Sequence, residues 1–170
     1  MTGRRIETND IAAVMGLTRE SKDPLRILEA IGALARTTLG ARGFTMFRYV
    51  HATAEVERIH SSDLTAYPVG GRKRVQDYPV NQAVLARGEV YIAKGRDDIR
   101  GTYKDADKIF SLGVTSIMNV PVRVGGRNIG AINLFGEEGQ FDAAKAEDGR
   151  ILAGLMVPAL LTWSEGKRAA

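Results

Sequence analysis

The chain has 170 residues, is 44% hydrophobic and carries 24 basic and 20 acidic residues, which gives a net charge of +4. This length suits one domain with a full-sized core, and the lack of cysteine excludes disulfides, thiol nucleophiles, cysteine-ligated metals and thioether-attached chromophores. Because no apolar run reaches the ~20 residues of a membrane span and no basic helix is evident, we expect a cytoplasmic protein that binds neither membrane nor nucleic acid.

The first part of the chain predicts two helices and then two strands. Asp23 and Pro24 are residues typical of an N-cap and a first helical position, and apolar residues then recur at helical spacing as far as Gly40. Aromatic and β-branched residues follow, which favour strands. The predicted elements are helices over 9–19 and 24–39 and strands over 44–51 and 55–61.

The second part of the chain predicts a mixture of short elements and one last long helix. Residues 67–71 form a loop or a bulged strand, and two apolar runs on either side of Gly125-Gly126 predict a β-hairpin with a tight turn. The other predicted elements are helices over 81–87 and 97–112, a strand over 89–93, and a helix that begins at Phe141-Asp142. This order predicts an α+β fold: a central antiparallel sheet of five to six strands, with the terminal helices on one face and the inserted short helices on the other.

The hairpin over 116–136 also resembles the GAF family. In that family the hairpin begins with Ser, continues through apolar residues to Val-Pro, turns, and resumes with Gly and alternating apolar residues. In this chain the Ser is Ser116, the Val-Pro pair is Val120-Pro121 and the Gly is Gly130. Residues 83–92 resemble the helix-Gly-Glu-strand step of the family, and the match extends from about Asp23 to Trp163. The resemblance implies a GAF/PAS-like fold in a small stand-alone GAF protein. We expect an N-terminal helical extension over 1–22, a GAF domain over 23–165 and a tail over 166–170.

The chain departs from three specialised functions of that family. Free methionine-(R)-sulfoxide reductases and covalent bilin carriers depend on cysteine, which this chain lacks. The cyclic-nucleotide signature places Asp-Glu four residues after a phenylalanine, where this chain has Lys145-Ala146 after Phe141. The resemblance therefore implies a fold more firmly than a ligand.

The resemblance also implies where a ligand would bind. GAF domains enclose a small molecule between one sheet face and the inserted segment, here about 61–108, which holds four of the five tyrosines. Tyrosine offers a ring for packing and a hydroxyl for orientation. Phe47 and Tyr49 share one strand face, which is either the floor of this cavity or part of the core under the terminal helices. The candidate ligand contacts are Phe47, Tyr49, Tyr67, Arg72, Tyr78 and Tyr103.

The charged and histidine residues allow more than one interpretation. The run Arg72-Lys73-Arg74 after two glycines could hold an anionic ligand, or it could be an ordinary surface loop. His51 and His60 bracket a turn, but their spacing matches no known metal motif. We expect no metal site and no catalytic residue, because no Gly-x-Ser-x-Gly elbow or paired carboxylates are present. The sequence identifies no cofactor.

These observations predict a non-catalytic, small-molecule-sensing protein that acts in signalling or regulation. The helices over 9–19, 24–39 and 142–164 offer more apolar surface than one sheet face needs, and Trp163 near the end of the last helix is a residue that a monomer would tend to expose. We therefore expect a homodimer formed through the terminal helices, as the resemblance also implies, and the signal would pass to a separate protein partner. Two alternatives remain: a small lyase, isomerase or hydrolase that uses the same pocket, and a scaffolding dimer whose pocket is filled.

Overall fold

A six-stranded antiparallel sheet forms the centre of the computed structural model, which describes residues 3–163. In chain order the strands are β1 (Gly43–Val50), β2 (Glu55–Ser61), β3 (Arg72–Arg74), β4 (Tyr91–Ala93), β5 (Ser116–Val124) and β6 (Arg127–Gly136). Across the sheet their order is β3-β2-β1-β6-β5-β4. The turn of the β5–β6 hairpin is made by Gly125 and Gly126, whose φ angles of 55° and 76° suit glycine.

Three helices cover one face of the sheet: α1 (Thr8–Glu20), α2 (Pro24–Leu39) and α6 (Ala143–Leu161). Helix α2 begins where the sequence predicts, because the Asp23 side chain accepts a hydrogen bond from the Leu25 amide and Pro24 fits the first turn. The apolar sides of α2 and α6 bury the largest cluster of core residues together with sheet residues such as Met46. This core makes the helical layer and the sheet one folded unit.

The chain between β2 and β5 covers the opposite face. It contains a 3₁₀ turn (Val75–Asp77), α3 (Pro79–Asn81), a π-helical turn (Gln82–Ala86), α4 (Arg96–Thr102) and α5 (Ala106–Ser111). Two smaller apolar clusters join these elements to the sheet, one around Val56 and Val84 and one around Ile99 and Ile117. The expected α+β fold, with terminal helices on one face and inserted elements on the other, is confirmed.

The inserted layer differs from its prediction in three places. The helix predicted over 97–112 is two helices, because the backbone is extended at Tyr103. The helix predicted over 81–87 is one α turn followed by a π turn. Strand β3 has only three residues, too few to show alternation in the sequence, and it pairs with β2.

Among the described residues, no helix is long and apolar enough to cross a membrane. The predicted tail over 166–170 lies outside the described residues.

Candidate ligand-binding site

The floor of the candidate site is the sheet face under the inserted segment. Because side chains alternate along a strand, Thr45 and Phe47 lie on this face of β1, whereas Phe44 and Met46 pack towards the terminal helices. Asn119 and Asn133 are cross-strand partners on β5 and β6, and both line the same face. The floor therefore combines an aromatic ring with two amide side chains.

The roof comes from the break between α4 and α5. Tyr103 and Asp105 lie in this break and line the cavity below it. The Tyr103 hydroxyl donates a hydrogen bond to Oδ1 of Asn119 on the floor. This bond fixes the roof to the sheet and leaves space beside it.

Two adjoining cavities occupy that space, each of about 60 Å³. Both are lined by Phe47, Lys73, Tyr103, Asp105 and Asn133. The first extends to Arg58 and Tyr67, and the second to Tyr78, Asn81 and Asn119. We call them together the inner cavity. One end of it is basic and aromatic, and the other is rich in amides.

Four cationic side chains lie against two tyrosine rings of the inner cavity. Lys108 Nζ is 4.7 Å from the ring centre of Tyr67, and Arg58 Cζ is 5.2 Å from the same centre. Lys73 and Lys104 place their Nζ atoms 4.8 and 4.9 Å from the ring centre of Tyr78. Cation–π contacts of this kind stabilise the positive groups without neutralising them.

Arg58 is the cation that is most deeply placed. The residue is 8% exposed, its guanidinium also stacks 5.2 Å from the ring centre of Phe47, and Nη1 donates to the Pro68 carbonyl at 2.9 Å. Its Nε is buried and has no hydrogen-bond partner among the described residues. Burial lowers the pKa of this guanidinium from its ordinary value. Arg58 therefore lines the cavity with a guanidinium whose Nε is shielded from solvent and has no acceptor among the described residues.

Burial also shifts the pKa values of the neighbouring groups. Desolvation, with a further contribution from Asp105, raises the pKa of the Tyr67 hydroxyl to about 12. Burial raises the pKa of Tyr103 as well and lowers the pKa of Lys73. Both phenols are therefore neutral hydrogen-bonding groups at neutral pH.

Comparison with known families accounts for this arrangement of sheet and inserted segment. The family model described as GAF domain matches residues 21–160. The chain belongs to the GAF family. A search of curated proteins gave no match.

Solved structures share the fold at low sequence identity. Free methionine-R-sulfoxide reductase from Neisseria meningitidis, in complex with its substrate, has a TM-score of 0.71 and 15% identity, over 95% of this chain and 97% of that one. The GAF domain of an Acinetobacter phosphoenolpyruvate-protein phosphotransferase has a TM-score of 0.70 and 14% identity, over 90% and 91%. The phycoerythrobilin-bound GAF domain of a cyanobacterial phytochrome has a TM-score of 0.67 and 15% identity, over 91% and 93%. These likenesses support the fold alone.

The GAF structure brings together most of the aromatic residues that the sequence singled out. Phe47, Tyr67, Tyr78 and Tyr103 all line the inner cavity. Tyr49 lies on the same sheet face as Phe47, so the uncertainty about that face is removed, but it packs at the margin of the cluster. Its ring centre is 4.3 Å from that of His51, and it is not among the residues that line the cavity.

Arg72 is not among the residues that line the inner cavity, whereas an anion-binding role requires its side chain to point into that space. On β3 it pairs with Glu57 of β2, and its Nη2 is 3.2 Å from the Glu57 Oε2. Because side chains alternate, the next residue, Lys73, points to the cavity instead. Without a predicted strand over 72–74, the sequence could not assign these faces.

Three kinds of cavity residue were absent from the sequence-based candidates. They are the cation Arg58, the carboxylate Asp105 and the amides Asn81, Asn119 and Asn133. Lys73 was named only as part of the run that could hold an anion. One signal was available for Arg58: it comes two residues after Val56 in a strand that was correctly predicted, and so shares its face. Asn119 and Asn133 lie on the predicted hairpin, where alternation gave the same kind of signal. Lys73, Asn81 and Asp105 depend on the path of the inserted segment, which local sequence does not fix.

A second, more open groove lies on the far side of Tyr67. Its volume is about 620 Å³, and Arg36, Arg42 and Leu64 are among its lining residues. Both arginines there already have acceptors, since Arg42 pairs with Glu137 at 2.8 Å and Arg36 donates to the Arg42 carbonyl. Although this groove is larger, its two arginines are exposed and can bond to water, whereas the Nε of Arg58 is buried without an acceptor among the described residues.

The histidines do not form a shared site. His60 pairs with Met46 near the start of β1, whereas His51 follows the end of that strand. Within residues 3–163, no group of three His, Cys, Asp or Glu side chains is placed to hold a metal ion.

Proposed function

We propose that this GAF protein is a non-catalytic sensor that binds a small molecule in the inner cavity and acts in cytoplasmic signalling or regulation. GAF domains are a sensing fold for small molecules and signals. The observation that carries the proposal is a cavity between sheet and inserted segment with converging polar groups, of which Arg58 Nε is unused.

We further propose that Phe47, Tyr67, Tyr78 and Tyr103 contact the ligand. Their rings surround the space, and their burial restricts their motion. Tyr49 and Arg72 lie outside the site: Tyr49 packs beside the Phe47 cluster, and the side chain of Arg72 pairs with Glu57. A bound molecule would contact β3, α3 and the α4–α5 break at the same time. It could therefore change how the inserted segment packs on the sheet, and a separate protein partner would bind the changed surface.

The proposed sensor acts as a homodimer through its terminal helices. Met15 of α1 and Leu161 of α6 are 56% and 64% exposed, although the rest of that layer is well packed. Trp163, which the sequence suggested as an exposed end, packs in part against the core. The apolar surface offered for pairing is therefore carried by Met15 and Leu161 rather than by Trp163.

Native mass spectrometry of freshly purified protein tests the sensing function. We expect an added mass, released on denaturation, that corresponds to a co-purified small molecule in part of the population. A protein that binds nothing, even after exposure to a metabolite extract, would instead support the scaffolding alternative with a filled cavity.

An enzyme in the same cavity is the second candidate. Lys73 favours it, because this amine and the carboxylate of Asp105 line both halves of the cavity and could serve as a nucleophile and a proton acceptor. The same measurement separates the two functions: a sensor returns the added molecule unchanged after hours of incubation, whereas an enzyme converts it.

A further inference from the structure

Arg58 is an unusual group to find in a folded domain. Its side chain is buried, yet among the described residues it has no carboxylate within ion-pair distance, and its Nε lacks an acceptor. Asp105, which lines the same cavity, attracts the guanidinium only from beyond ion-pair distance. A buried cation without a bonded counter-charge is costly, and proteins usually pair it. Since Arg58 lines the inner cavity, an anion bound there would supply that bond.

The charge around the cavity is unbalanced in the same sense. Lys73 lines both halves of it, and Lys104 and Lys108 lie over the rings of its two outer tyrosines. Together with Arg58 these are four cations, whereas Asp105 is the one carboxylate among the described residues that line the cavity, and Asp63 acts on Tyr67 from outside it. The field inside the cavity therefore favours a ligand with negative charge.

We infer that the inner cavity binds a small oxyanion, held by the Nε–Nη2 edge of Arg58 together with Lys73. This inference rests on the proposed function and names the class of its ligand. Nη1 is already used by the Pro68 carbonyl, so the remaining edge of the guanidinium offers two parallel N–H donors. That geometry matches the two oxygens of a carboxylate or of a phosphate.

The remaining walls limit the rest of the ligand. At the end away from Arg58, the side chains of Asn81, Asn119 and Asn133 present amides, which can donate to or accept from a second polar group. With about 60 Å³ in each half, the space suits a molecule of a few heavy atoms. A short mono- or dicarboxylate fits this pattern, and inorganic phosphate is the other source of the same chemistry.

Calorimetric titration and thermal unfolding with acetate, succinate and inorganic phosphate test the inference, at constant ionic strength maintained with sodium chloride. We expect a saturable rise in the unfolding temperature with at least one probe. Comparing acetate with succinate shows whether the amide end contributes, and phosphate distinguishes the two oxyanion sources. Arg58→Met, which keeps an apolar stem over Phe47 and Tyr67, should weaken binding about ten- to a hundredfold, as expected for a lost charge-assisted contact.

Arg72→Met is the matched control, because Arg72 is a cation on the neighbouring strand whose side chain pairs with Glu57 outside the cavity. It should change the affinity less than about threefold. If Arg58→Met does not fold, Arg58→Lys serves instead: it keeps the charge, loses the two-donor edge, and should weaken carboxylate binding severalfold.

The inference would be overturned if the wild type and the Arg58 variant bound the probes with equal affinity. It would also be overturned if no probe gave a saturable response below about 50 mM, a concentration far above the dissociation constants of ordinary metabolites. A response of the same size in both proteins would be an electrolyte effect and would also overturn it. If native mass spectrometry finds a bound neutral molecule while all three anions fail, the sensing function stands and the oxyanion assignment falls.

Discussion

At the scale of single residues, the buried tyrosines link the cavity to measurable stability. The pKa of Tyr67 is about 12 in the folded protein, compared with 10.0 for an ordinary tyrosine, mainly because burial opposes the phenolate. Between these two values the unfolded chain loses the proton and the folded chain keeps it. Folding stability from this residue is therefore complete below pH 10 and is lost as the pH rises towards 12.

Tyr67→Phe isolates this contribution. From pH 9 to pH 11.5, the free energy of unfolding should fall further in the wild type than in the variant, by on the order of 1–2 kcal/mol. A difference of two pKa units corresponds to about 2.7 kcal/mol when the titration is complete, and at pH 11.5 it is not yet complete. Urea denaturation at both pH values measures the difference, and the lysines and arginines common to both proteins cancel. Parallel losses in the two proteins would show that Tyr67 titrates normally.

The residue scale also shows what local sequence can determine about a site. The aromatic residues of the cavity were found because tyrosines concentrate in the inserted segment, and four of the six candidates line the space. Arg72 and Lys73 were not distinguished, because neighbours on a strand face opposite ways and β3 was not foreseen. Asp105 enters the cavity only because the chain extends at Tyr103, a break that helical periodicity did not reveal.

At the scale of elements, the close approach of α2 to β1 depends on a missing side chain. A Cβ placed on Gly32 would lie 2.1 Å from Cζ of Phe44, a buried ring in the main core. Gly32→Ala should therefore destabilise the protein by about 1–3 kcal/mol, the usual cost of overpacking. Chemical denaturation followed by circular dichroism measures the change.

Gly101→Ala is the matched control for that substitution. Gly101 also lies inside a helix, α4, but nothing stands within 4 Å of its added Cβ. This variant should be as stable as the wild type or up to about 1 kcal/mol more stable, since alanine is the better helix former. If the free energy of unfolding falls in Gly32→Ala and does not fall in Gly101→Ala, the contact with Phe44 is the cause. A Gly32→Ala variant as stable as Gly101→Ala would contradict the prediction.

The elements themselves were predicted best where local signals are strong. The bounds of α2 and β2 match the prediction because a capping aspartate, a first-turn proline and β-branched residues mark them. The short elements over the cavity were predicted less well, since α3, the π turn and the α4–α5 break follow from packing against the sheet. The family resemblance supplied the layer order that periodicity could not.

At the scale of the whole molecule, the terminal-helix layer is the surface through which we propose that two copies pair. An isologous interface repeats the same side chains on both sides of a two-fold axis, so one charge introduced there is placed twice. Leu161→Glu should therefore weaken dimerisation about tenfold or more, because two carboxylates would be buried at or near the interface. Sedimentation velocity at about 10–50 µM, within the range of weak-dimer affinities, measures the shift.

Leu64→Glu is the control for Leu161→Glu. The two leucines are almost equally exposed, at 61% and 64%, but Leu64 borders the open groove beside Tyr67 rather than the terminal helices. Leu64→Glu should leave the dimer affinity unchanged. If Leu161→Glu alone weakens dimerisation, the interface includes α6. A wild type that sediments as a single monomer species throughout this range would rule out the dimer, and equal effects of the two substitutions would place the interface elsewhere.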